Sequence, residues 1–79
     1  MNEEQKETFK KIISMKSDEL NSEMNSLKEN MSQKIEKLLS ESSDSAFVNK
    51  LNEVKRNISE SETNKFNYYR LIELSKNLD

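Results

Sequence analysis

Apolar residues recur along one helical face from Phe9 to Leu39: Phe9, Ile13, Leu20, Met24, Leu27, Met31, Ile35 and Leu38, with Lys16 the one charged residue in the row. The pattern returns every eleven residues, as in Phe9, Leu20 and Met31, or Ile13, Met24 and Ile35. Eleven residues over three turns is about 3.67 per turn, so the stripe stays on one side of a nearly straight helix. At ~1.5 Å per residue such a helix runs ~45 Å. With Asn2 as a candidate N-cap and Glu3, Glu4 and Glu7 near the positive end of the dipole, the spacing predicts one helix over about residues 3–40. Between Ser17 and Ser26 only Leu20 and Met24 face inward, which predicts loose packing in its middle.

Six polar residues, Ser40-Glu41-Ser42-Ser43-Asp44-Ser45, predict a loop over about residues 41–45, with Asp44 or Ser43 able to cap the next helix. A second apolar pattern, Phe47, Leu51, Val54 and Ile58, resumes at Phe66, Tyr69, Ile72, Leu74 and Leu78 and predicts a helix over about residues 46–77. Seven polar residues, Ser59 to Lys65, interrupt it. Either the helix passes through them as a weak waist, or Ser59-x-x-Glu62 is a capping box that starts a third helix after a kink near residues 59–65. An antiparallel pairing of residue i with about residue 86 − i favours the continuous helix, because it matches the arms in length and sets Leu38 and Ile35 against Phe47 and Leu51, Met31 against Val54 and Leu27 against Ile58. The same register brings Phe9, Ile12 and Ile13 toward Tyr69 and Ile72 at the open end. The expected fold is therefore all-α, a single antiparallel two-helix hairpin domain over residues 1–79 with coiled-coil-like packing.

Composition narrows the chemistry. With 32% hydrophobic and 35% charged residues in 79, the core must be thin. The absence of Gly and Pro removes phosphate-cradling loops and most hairpin turns, and leaves long helices uninterrupted. Without Cys or His there is no thiol nucleophile, imidazole base or zinc-finger ligand set, and no D-x-[DN]-x-[DN]-G loop exists for calcium. Paired carboxylates such as Asp18/Glu19 and Glu60/Glu62 fall in the most polar stretches, whereas acid–base pairs need burial to separate their pKa values. No enzyme activity, cofactor, metal or small-molecule substrate is expected. Thirteen basic and fifteen acidic residues are spread along the chain, so no basic footprint for nucleic acid forms. Apolar runs are no longer than three residues and the first residues are acidic and polar, which predicts no membrane span and a cytoplasmic protein.

What remains is partner choice. Positions 68, 69, 71 and 72 cannot all face one neighbouring helix at ~100° per residue, so the last helix carries more apolar surface than the first arm covers. Aromatics and Arg are the residue types favoured at binding hot spots. The expectation is a non-enzymatic interaction module that self-associates, as a homodimeric four-helix bundle, or docks a protein partner through Phe9, Ile12, Ile13, Phe66, Tyr68, Tyr69, Arg70 and Ile72.

In outline, a helical hairpin of this size with a Ser43-Asp44 turn after Leu38-Leu39 is similar to type III secretion needle subunits and their small co-chaperones. The resemblance implies a small secretion chaperone or a filament subunit. The prolines that flank the turn in needle subunits are absent here, and the C-terminal tail is less apolar. A coiled-coil segment of a larger scaffold protein is the other alternative.

Overall fold

Both polar intervals of the chain become helix ends, and a third break falls at Ser14–Lys16, where the apolar pattern stays in phase. The computed structural model describes all 79 residues, Met1–Asp79, in four α-helices with no strand: α1 Glu3–Ile13, α2 Ser17–Glu41, α3 Ser45–Glu60 and α4 Lys65–Leu78. All-α holds, but the two-helix hairpin does not.

Side chains close most of the N-termini. Asn2 Oδ1 accepts from the Gln5 amide at 2.8 Å while Gln5 Oε1 accepts from the Asn2 amide at 3.0 Å, a reciprocal capping box on α1. Asp44 Oδ1 accepts from the amides of Ala46 (3.0 Å) and Phe47 (3.3 Å) and starts α3. Asn64 Oδ1 accepts from the Asn67 amide at 2.7 Å and starts α4. Two C-termini are closed from other helices: Lys65 Nζ donates to the Ile13 carbonyl at the end of α1, and Lys28 Nζ to the Ser61 carbonyl beyond α3. Each lysine satisfies an acceptor that helix geometry leaves without a partner.

The first break, at Ser14–Lys16, divides the predicted helix over residues 3–40. Ser14 Oγ donates to the Lys11 carbonyl at 2.8 Å, a local bond that competes with continuation. Lys10 and Lys11 lie in the last turn of α1, and Asp18 and Glu19 in the first turn of α2, each suited to its helix end. The second break, Ser61–Asn64, divides the predicted helix over residues 46–77. Its new helix is capped by Asn64 rather than by the expected Ser59 and Glu62.

These breaks let every helix reverse on its predecessor. Lys55–Glu36 and Lys28–Ser61 contacts set α3 antiparallel to α2. Lys34 meets Asp79 while Tyr68 lies beside Glu19 and Glu23, so α4 runs with α2. Lys65 at Ile13 and Lys76 at Glu4 set α4 antiparallel to α1. The main pairings are α2 with α3, α2 with α4 and α4 with α1. With Cα extents of 42 × 27 × 15 Å, the four helices form an open row rather than a closed ring.

The core is thin and divided. Nine residues are buried, all of them hydrophobic. Six of them, Met24, Met31, Ile35, Leu51, Ile58 and Leu71, form one cluster where α2, α3 and α4 meet. Ile12, Met15 and Leu20 form another, packed by Tyr68, Tyr69 and Ile72. The middle of α2 is not loose as expected: Met24 is fully buried, because α4 folds back over the stretch that a two-helix hairpin would leave thin. Phe47, expected against Leu38 and Ile35, is exposed instead.

Candidate functional site

All eight residues singled out from the sequence lie on α1 or α4, where the structure sorts them into two groups. Ile12 is 2% exposed and, with Met15, packs under the half-buried Tyr68, Tyr69 and Ile72. These side chains serve the fold itself. The apolar surplus of the last helix is thus taken up in part by α1, which bends back across it.

The second group faces outward. Phe66 is 66% exposed, Ile13 55% and Phe9 37%, and Arg70 is exposed. Antiparallel register places Phe9 against Tyr69, with ring centroids 5.6 Å apart and planes at 77°, an edge-to-face contact. One turn along, Lys65 reaches the Ile13 carbonyl, which sets Ile13 beside the Lys65–Phe66 step. Phe9, Ile13 and the rim of Tyr69 therefore share one edge of the molecule, and the exposed Phe66 follows directly on the Lys65 that reaches it. The Arg70 guanidinium lies 5.7 Å from the centre of the Phe66 ring, within cation–π range, and borders that edge with charge. Its apolar area is on the order of 300–400 Å², the size of the largest patch on a typical monomer.

Exposed polar groups tie α1 to α4 at the other end of their contact. Lys76 Nζ lies 3.2 Å from Glu4 Oε1 on α1 and 3.5 Å from Glu73 Oε1 on α4. The Glu4 hydrogen bond, with the charges of both carboxylates, holds the Lys76 ammonium above its ordinary range, although burial opposes it. Glu73 Oε1 is buried and accepts no hydrogen bond. Burial, with Glu73 alongside, raises the Tyr69 phenol above its usual value, and burial with Glu23 alongside does the same for Tyr68.

Two shallow grooves complete the surface. One, about 500 Å³, runs between the end of α3 and α4 past Asn57, Ser61, Asn67 and Arg70. The other, about 240 Å³, lies among α1, α2 and α4 by Lys11, Glu19, Glu23 and Tyr68. No group of His, Cys, Asp or Glu side chains is arranged to hold a metal ion, and no helix is long and apolar enough to cross a membrane. Sequence reasoning missed Met15 as a core residue, because on an unbroken helix it lies off the stripe. The reversal from Lys10-Lys11 to Asp18-Glu19 was the available signal.

No protein-family model matches the chain, and no curated protein or solved structure matches it either.

Proposed function

We propose that this chain is a non-enzymatic interaction module that associates with protein through the apolar edge of α1 and α4. The observation that carries the reading is the exposure of three large apolar side chains on α1 and the start of α4: Ile13 and Phe9 on α1, and Phe66, paired with Arg70, on α4. Burial drives the association, at ~25 cal/mol per Å² of apolar surface removed from water. The charged rim sets orientation more than strength. Tyr68, Tyr69 and Ile72, expected at the partner surface, act here by holding α1 in place, so Phe66 and Ile13 are the informative positions.

Sedimentation velocity over a micromolar concentration series tests this. Size rises with concentration for the native chain and less steeply for Phe66→Ser, whose fold is intact. A monomer unaffected by concentration argues against self-association. A filament subunit or secretion chaperone is the weaker reading, because its likeness rested on a two-helix outline that a four-helix chain departs from.

A further inference from the structure

The break between α1 and α2 is the least secured joint in the molecule. Its three residues, Ser14-Met15-Lys16, include neither Gly nor Pro, and no residue of the chain has a positive φ. Ser14 is close to helical, at φ −80° and ψ −8°; Lys16 departs mainly in ψ, at 160°. Of the four helices, only α2 lacks a side-chain cap: Lys16 occupies its N-cap and sets a cation at the positive end of the dipole. Within α2 the first amide with a helical acceptor is that of Leu20, which donates to the Lys16 carbonyl at 2.8 Å. Straightening the joint would give the amides of Lys16, Ser17, Asp18 and Glu19 the carbonyls of Ile12, Ile13, Ser14 and Met15, four bonds the bent form lacks.

The eleven-residue repeat runs through this joint without losing phase. Phe9 and Ile13 stand in register with Leu20 and Met24, as on one helix from Glu3 to Glu41. The bend is therefore held from outside, by α1 lying on α4. That contact is a separate cluster of Ile12, Met15 and Leu20 with the α4 side chains over it, supplemented by exposed ties from Lys76 to Glu4 and from Lys65 to the Ile13 carbonyl. A second copy of the chain carries an identical α1. It can supply the Ile12, Phe9 and Glu4 contacts while its own joint is straight; the exchange gives up the packing of Met15, which sits in the joint, and gains the four backbone bonds. Because α4 runs with α2 and against α1, the two straightened helices of such a pair run antiparallel, an arrangement that a two-fold axis perpendicular to them generates.

We infer that self-association proceeds by exchange of α1, the α1 of one copy seating on Tyr68, Tyr69 and Ile72 of another. This rests on the self-association proposed above and names its occupant; it moves the joining contact from the exposed edge to the α1 seat on α4. The chain has no cysteine, which makes the test direct. Chains carrying Glu4→Cys are mixed with chains carrying Lys76→Cys, and the dimer fraction is treated with a short bis-maleimide. Exchange gives a covalent heterodimer between the two positions. A doubly substituted chain isolated as monomer closes the same link internally. Lys16→Asp, which caps α2 in the bent form of both copies, raises the dimer dissociation constant roughly thirtyfold, from about fivefold per cap. A dimer that links only within chains, or one as tight with Lys16→Asp as without, overturns exchange and leaves self-association standing. Absence of any dimer overturns both.

Discussion

Replacing Ile12 by alanine removes the most deeply buried contact between α1 and the rest of the chain. Ile12 is 2% exposed in a cluster whose other buried members are Met15 and Leu20. The substitution deletes three carbon atoms. At ~0.8 kcal/mol per buried methylene the lost transfer energy is about 2.4 kcal/mol, and the remaining cavity raises the cost to roughly 3–4 kcal/mol. The ion pair that also ties α1 down is exposed and screened, so it does not offset this loss. The larger cluster of Met24, Met31, Ile35, Leu51, Ile58 and Leu71 keeps all of its members. Local rather than global opening is therefore expected. Amide hydrogen exchange reads it directly: in Ile12→Ala the amides of α1 exchange near their intrinsic rates, those at the start of α4 lose some protection, and those of α2 beyond Met24 and of α3 change little. Ile58→Ala makes the same chemical change in the other cluster and lowers protection throughout. Uniform loss in both variants, or an α1 as protected as before, would refute the division of the core into two units.

Other consequences are simpler to measure. Asp44→Ala removes the acceptor of two amides at the start of α3 and costs about 1 kcal/mol, read as a lower urea midpoint at unchanged slope. Tyr68, Tyr69 and Lys76 all keep their protons to higher pH in the folded chain than their ordinary values of 10.0, 10.0 and 10.5. The unfolded chain loses these protons first, so the stability present below about pH 10 falls as pH rises through the folded values. Tyrosinate absorbance should accordingly reach its midpoint above 10.0, and a midpoint at or below that value contradicts the raised phenols. Phe66→Ser changes folding stability by less than ~1 kcal/mol, since the ring is mostly exposed, yet weakens self-association about tenfold, and a variant that assembles like the native chain removes the edge from consideration.

Helix content was legible because it depends on local properties: periodic apolar spacing, Asn2 and Asp44 as caps, and a chain without Gly or Pro. The α2–α3 hairpin was legible for the same reason, since the Ser-rich interval before Asp44 has no apolar residue for a helix to bury. That Phe9 and Ile12 meet the α4 side of Tyr69 and Ile72 was expected as a group, although the register and chain path were not. What periodicity could not decide is whether a helix continues through a stretch that permits continuation. At Ser14–Lys16 the pattern stays in phase, and local geometry permits either state. The bend results from an apolar surplus on α4 that the returning α1 covers. Likewise Ser59 to Lys65 could have been a waist, until folding α4 back onto α2 buried Met24 and Leu71 together. Local sequence determined which residues are helical; long-range burial decided where the helices turn, because in a core of nine residues covering one more apolar face outweighs the few backbone bonds given up at a break.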